Sequence, residues 1–166
     1  MTGPSPSIRK VQPSRLLASL SVLAGDADAD KKAKTIFDLE TKIARAHANV
    51  VDSQDIHKAN NPWPVADFVK QAPGMDWTAF FDAAGLAKQS TLIAWQPNAI
   101  KQLSALVASQ PLPVWKDYLR FHLINQSAGL LPKAYADLRF GFYGTQLSGA
   151  TQQRDRWKRA LAATDS

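Results

Sequence analysis

Between residues 31 and 49 the apolar side chains recur every three or four positions, which is the spacing of one face of an α-helix. Asp30 stands just before this pattern, where its side chain can cap the first turn. The segment is therefore predicted to form a long amphipathic helix. Its apolar stripe consists of Ala33, Ile36, Leu39, Ile43 and Ala46.

Further helices are predicted along the rest of the chain, because proline and glycine repeatedly mark their starts and stops. The run 91–95 is the only strand candidate, and the segment 50–64 is interpreted as turns. The predicted fold class is all-α: a multi-helix array with at most one short strand. The predicted helices cover residues 64–71, 77–84, 97–107, 114–126, 132–142 and 151–163. Gly144 is predicted to end the helix over 132–142.

The N-terminal part of the chain allows two interpretations. The run 16–24 resembles a short signal-peptide core, yet Ser14 and Gly25 are equally good start and stop signals for a helix. Ser19 and Ser21 interrupt the apolar run, which favours an amphipathic helix. No apolar run approaches the roughly 20 residues that a membrane span requires.

The length and composition are those of an ordinary globular protein. The chain has 166 residues, which suffices for one domain with a real core. We predict a flexible tail over residues 1–12 and a single helical domain over 13–166. The chain has no cysteine, which excludes disulfides and cysteine-bound metals.

The net charge of +6 raises the question of an anionic partner. The closest basic clusters are 31–34 and 154–159, and acidic residues lie within or beside both. No DNA- or RNA-binding signature accompanies them, so nucleic-acid binding is not predicted.

The sequence contains no recognisable catalytic, cofactor-binding or metal-binding residues. A helical zinc site needs two histidines four positions apart, but His47, His57 and His122 are not grouped. His47 is interpreted as a cation at a helix C-terminus, and His122 as a partly buried helix residue. Asp52 and Asp55 fall in a turn-rich segment, where capping is far commoner than acid–base catalysis.

Two further motifs for chemistry are also missing. The sequence has no Gly-x-Ser-x-Gly nucleophile motif. The run 141–145 lacks the Lys-Ser/Thr ending of a phosphate loop, and its glycines are interpreted as a helix stop and a turn.

Large aromatic residues are predicted to anchor the core, because each ring needs a packing site. Arg156 and Arg159 are predicted to pair with carboxylates across helices. The predicted anchors are Trp77, Trp115, Phe140, Tyr143 and Trp157.

Seven short runs follow one another along the chain: Ile36–Ala44, Asn60–Pro62, Ala72–Phe81, Gln96–Ile100, Trp115–Arg120, Phe140–Gly149 and Arg156–Arg159. Taken together and in order, they resemble the N-terminal peptidase region of the neprilysin family, which includes the bacterial oligopeptidase O group. Asn60 stands where the family has an aromatic residue, Ala160 stands where it often has cysteine, and residues 1–12 match nothing. The matching residues are mostly packing and turn residues, and none is catalytic.

The resemblance implies a place within a larger enzyme. Members of the family are zinc endopeptidases in which two largely helical lobes enclose a cavity, and the His-Glu-x-x-His motif lies in the C-terminal half. This chain resembles a piece of the cavity-forming lobe that limits substrate access, with zinc and catalysis supplied from elsewhere. The implied partners are the catalytic half and peptide substrates, and the implied location is periplasmic or otherwise extracytoplasmic.

Two other hypotheses belong to different classes. The chain is either a stand-alone helical interaction module without activity, or a truncated product without function. Apolar surface that is meant for missing segments also predicts self-association of the isolated chain.

The absence of grouped ligands predicts that the chain alone binds no stoichiometric zinc. We expect metal analysis of the purified chain after dialysis to find only trace amounts of zinc. One tightly held zinc per chain would contradict this interpretation.

Overall fold

A computed structural model describes residues 13–164, so the predicted tail over 1–12 lies outside the described residues. The predicted all-α class is confirmed, since helices dominate this range and a small two-stranded sheet is its only sheet. The α-helices are α1 (Pro13–Leu23), α2 (Ala29–Ala46), α3 (Val50–Gln54), α4 (Ile56–Ala59), α5 (Phe68–Gln71), α6 (Trp77–Ala83), α7 (Pro97–Ser109), α8 (Leu112–Ser127), α9 (Lys133–Arg139) and α10 (Arg156–Thr164). The strands are β1 (Pro62–Pro64) and β2 (Thr91–Ile93).

The described chain divides into two compact units. Unit one comprises residues 13–37 and 116–164, and unit two comprises residues 38–115. Whether both belong to one domain over 13–166 stays a prediction. No helix among the described residues is long and apolar enough to cross a membrane.

The core of unit one forms where α1 contributes three buried leucines. Leu17 and Leu20 are almost completely buried, and Leu16 is buried beside them. Ile36 of α2 and Phe121 of α8 belong to the same cluster. Full burial of such side chains stabilises a fold by about 1.5–3 kcal/mol each. The N-terminal run is therefore a packed helix in this structure, as its serine-interrupted pattern predicts.

Four aromatic rings form the core of unit two. Phe68 lies between Trp63, Trp77 and Phe81, with ring-centroid distances of 5.1, 5.0 and 5.0 Å. Edge-to-face arrangements of this kind add about 0.5–1.5 kcal/mol per pair to the burial of the rings. All four side chains are buried.

The turn between α5 and α6 is fixed by one backbone carbonyl. The Ala72 carbonyl accepts hydrogen bonds from Trp77 Nε1 at 2.6 Å and from Ser104 Oγ at 2.7 Å. Ser104 Oγ in turn accepts from the Met75 backbone N–H at 2.9 Å. Gly74 has φ +126°, and a Cβ there would collide with the Ser104 carbonyl, so only glycine fits this approach to α7.

The strand predicted over 91–95 is present as β2, and its partner β1 lies in a segment that the sequence interpretation assigned to turns. The two strands pair antiparallel, with Trp63 opposite Leu92. Flanking hydrogen bonds run from Val65 N to the Ser90 carbonyl at 3.0 Å and from Ala94 N to the Asn61 carbonyl at 2.8 Å.

Gly144 does not end the helix before it. After α9 the chain continues as a π-helix over Phe140–Leu147, and Gly144 lies inside it. A Cβ at Gly144 would collide with the Phe140 ring, so this glycine makes room for an aromatic side chain. The predicted stop is wrong because the glycine serves packing here rather than a left-handed turn.

The predicted aromatic anchors are only partly correct. Trp77 is 7% exposed, but Trp157 is 65% exposed and Tyr143 is 37% exposed. Trp115 and Phe140 are half-buried. Trp157 lies on α10 with Lys158 Nζ 5.3 Å from its ring centroid, so its position reflects a surface contact rather than core packing.

These positions predict opposite results for two tryptophan substitutions. Trp77→Ala should lower the free energy of unfolding by about 3–5 kcal/mol, because it removes a buried ring and the indole donor to Ala72. Trp157→Ala, as the matched exposed change, should alter it by no more than about 0.5 kcal/mol. Urea unfolding of both variants measures the difference. Equal losses would show that Trp157 is buried in solution.

Candidate functional site

The structure does not assemble the histidines into a metal site. His47 follows the end of α2, His57 lies in α4, and both are exposed in unit two. His122 lies in α8 of unit one, half-buried, with its ring 4.3 Å from that of Tyr118. Across residues 13–164 no group of three or more potential ligands is close enough to hold a metal ion. The side chains present therefore do not fit a zinc ion.

The segment after α2 forms two short helices where only turns are predicted, and its polar side chains are caps. Asn49 Oδ1 accepts from the Asp52 backbone N–H at 2.9 Å and begins α3. Asp55 Oδ1 accepts from the His57 backbone N–H at 3.0 Å and begins α4. The prediction that Asp55 caps a turn is thus correct, and the cap is strong enough to start a helix.

Asp52 has a different role from Asp55. Its carboxylate accepts hydrogen bonds from Lys58 Nζ and from Asn49 Nδ2. The hydrogen bond from Lys58, followed by that from Asn49, lowers the pKa of Asp52 below its ordinary value. Asp52 is therefore ionised at neutral pH and is unsuited to act as a general acid.

The same segment lines a polar groove within unit two, which we call the His47 groove. Its volume is about 570 Å³, in the range of ligand-binding clefts. Trp95 forms one wall and donates from Nε1 to the Ser53 carbonyl at 3.1 Å. The polar lining of the groove includes His47, Asn49, Asp52, Lys58, Gln96, Asn98 and Gln102.

The sequence alone does not predict that these residues line one groove. The turn-forming run 52–55 and the helix start at Pro97 were recognised separately. They are more than 40 positions apart, and only the fold brings them together. The available signal was the density of polar turn residues on either side of the aromatic core.

Unit one contains a largely buried carboxylate, that of Asp26, which pairs with two cations. Asp26 Oδ1 accepts from Lys32 Nζ at 2.7 Å and from Arg120 Nη1 at 2.9 Å, and its side chain is 10% exposed. Arg120 Nη2 also donates to the Ala24 carbonyl at 3.1 Å. The hydrogen bond from Lys32, with a smaller contribution from Arg120, lowers the pKa of Asp26. The cluster joins the turn after α1 to α2 and α8, and its role is structural.

Comparison with known proteins identifies the class. The sequence of this largely helical chain matches the profile of peptidase family M13 over residues 9–166. This chain belongs to that family, and the resemblance to its N-terminal region is confirmed.

The solved structures that are similar to this chain include two of the zinc metalloprotease Zmp1 of Mycobacterium tuberculosis. The cryo-EM structure in the open state has a TM-score of 0.82 and 32% identity, covering 95% of this chain and 25% of that chain. The crystal structure of the inhibitor complex has a TM-score of 0.83 and 32% identity, covering 90% and 24%. This chain thus spans about a quarter of the length of the enzyme it resembles. No curated protein matches it.

The Asp26 cluster predicts a specific pH dependence. A carboxyl group with a pKa that is lower in the folded than in the unfolded chain stabilises the fold above its unfolded pKa of about 3.9. This stabilisation is lost as the pH falls through the folded-state pKa. Asp26→Asn should therefore lower the free energy of unfolding at pH 7 and flatten its decline between about pH 5 and pH 2. The matched control is Asp82→Asn, at an exposed position of α6.

Urea unfolding at a series of pH values measures both variants. An Asp26→Asn profile parallel to that of the unsubstituted chain would show that the ion pairs do not stabilise the fold.

Proposed function

We propose that this chain is the helical, access-limiting part of a zinc metalloendopeptidase, and that zinc and the catalytic groups come from polypeptide outside these residues. One observation carries the proposal. The family match extends over residues 9–166, while the described residues hold no group of side chains that could bind a metal. The similar solved structures are those of a zinc metalloprotease about four times as long.

In this proposal the chain provides a rigid surface that limits the access of substrates to the catalytic groups. The buried leucines of unit one and the four rings of unit two give each unit its own packed core. Such elements hold their shape without a ligand, which is what a surface that excludes oversized substrates requires. The substrates in this proposal are peptides, and the proposed location is extracytoplasmic.

Exposed apolar side chains supply the contact surface for the rest of such an enzyme. Leu119 and Leu123 lie four positions apart on α8 and are 63% and 65% exposed. Trp157 and Leu161 repeat this spacing on α10, with exposures of 65% and 57%. Residues four apart share one helix face, so each helix presents a pair of apolar side chains to its surroundings.

A chimeric enzyme tests the proposal. Residues 9–166 replace the corresponding segment of the Mycobacterium tuberculosis enzyme, and hydrolysis of short and long peptides is measured. We expect zinc-dependent activity on short peptides and a shifted upper size limit for substrates. The matched control is the same chimera with Trp77→Ala, in which the access-limiting surface is destabilised. A folded, zinc-loaded chimera that leaves the size limit unchanged would contradict an access-limiting role.

The exposed leucines also predict that the isolated chain self-associates. The net charge of +6 opposes association, and salt screens that repulsion. We expect light scattering to show a mass above that of the monomer that grows with ionic strength. Replacing Leu119 and Leu123 together by lysine should restore the monomer, whereas Val51→Lys, at an exposed site in α3, should not.

A monomer at every salt concentration would instead favour the alternative function, a self-sufficient helical interaction module.

A further inference from the structure

Arginines that are separate in the sequence line one groove in unit one, which we call the arginine groove. Arg139 ends α9, Arg154 precedes α10, and Arg159 lies in α10. The groove has a volume of about 610 Å³, in the range of ligand-binding clefts and larger than a single small ion requires. Its lining contains no acidic side chain. The lining also includes Phe140, Tyr143, Ser148, Gln152 and Gln153.

Contacts within the protein orient two of these arginines. The Arg139 guanidinium carbon lies 5.2 Å from the centroid of the Tyr143 ring. The Tyr143 hydroxyl accepts a hydrogen bond from Asn125 Nδ2 at 3.0 Å, which fixes the ring beneath the guanidinium. Arg159 is half-buried and donates from Nε to the Arg154 backbone carbonyl at 3.1 Å. Its terminal nitrogens keep further donors available.

The neighbouring carboxylates are already engaged by lysines. Residues 133–164 contain six cationic and two acidic side chains. Asp137 is paired with Lys133, and Asp155 with Lys158 at 3.2 Å. The predicted pairing of Arg156 and Arg159 with carboxylates does not occur within the described residues, where Asp137 and Asp155 form their ion pairs with lysines. The guanidinium groups of the groove therefore remain without a carboxylate partner in this segment.

We propose that the arginine groove binds an acidic segment of a peptide through its carboxylates. Guanidinium groups bind carboxylates through paired N–H donors, and like charges that share a groove repel each other until an anion enters. A groove of this volume accommodates several residues, so the arginines can each engage a different carboxylate. Gln152 adds an amide side chain that can bond to a peptide backbone. This site lies within the 166-residue chain and does not depend on the proposed function.

The test uses the whole 166-residue chain and a dye-labelled tetraglutamate peptide, followed by fluorescence anisotropy at low salt. Binding should be measurable, and tetraglutamine with the same dye should not bind. Arg139→Gln and Arg159→Gln should each weaken tetraglutamate binding by roughly threefold to tenfold, the size expected for a partly exposed charged hydrogen bond. The matched control is Arg156→Gln, which removes the same charge from an exposed position of α10 outside the groove lining. It should change binding by less than about twofold.

Other outcomes overturn the proposal. Equal weakening by Arg156→Gln and by the groove variants would mean that only the general positive charge attracts the peptide. Competition by inorganic phosphate as strong as that by the unlabelled peptide would assign the groove to small anions, and tighter binding of a single-stranded oligonucleotide would assign it to nucleic acid.

If Arg159→Gln unfolds the chain, Arg139→Gln and Arg159→Lys still decide the question. Arg159→Lys keeps the charge and should lose binding only in part.

Discussion

The carbonyl oxygen of Ala72 is the point on which unit two depends. It receives buried donors from Trp77 and from Ser104, so one acceptor joins the aromatic core to α7. The close approach of the turn to α7 is possible only because Gly74 has no side chain. The rings of the core can then pack against Trp77. The indole nitrogen of Trp77 is buried at no cost in lost hydrogen bonding, because it donates to the Ala72 carbonyl. A change in this turn would therefore affect hydrogen bonding and packing at once.

Local patterns were sufficient to predict most of the helices. The helices predicted over 31–49, 77–84 and 97–107 are present as α2, α6 and α7 with nearly the predicted bounds, since each depends on residues within a few positions. Elements that depend on distant partners could not be predicted in this way. The strand around Trp63 has a proline at each end and forms because β2 lies beside it. Gly144 suggests a helix stop, but its actual role depends on the ring of Phe140.

The candidate sites also differ between features that nearby residues determine and features that depend on distant parts of the chain. Sequence reasoning identified the cluster 154–159 but regarded it as diluted by Asp155. In the structure Asp155 belongs to Lys158, and the π-helix and loop before α10 place Arg139 beside Arg154 and Arg159. Both lysine–aspartate pairs are local in the sequence, three and four positions apart. The approach of Arg139 to Arg154 and Arg159 depends on the fold, so a count of charges along the chain cannot reveal this groove.

The prolines of β1 have a consequence for how the protein avoids misassembly. The Asn61 carbonyl and the Val65 N–H form hydrogen bonds toward β2. In an antiparallel pair the N–H and C=O groups of successive residues point alternately toward the partner strand and away from it. Positions 62 and 64 therefore face outward, and both are proline, which carries no N–H. The outer edge offers acceptors without donors, so a strand of a neighbouring molecule cannot extend the sheet there by regular pairing. Two residues that weaken the signal for a strand thus leave the β1 edge of the sheet without backbone donors for the strand of a neighbouring molecule.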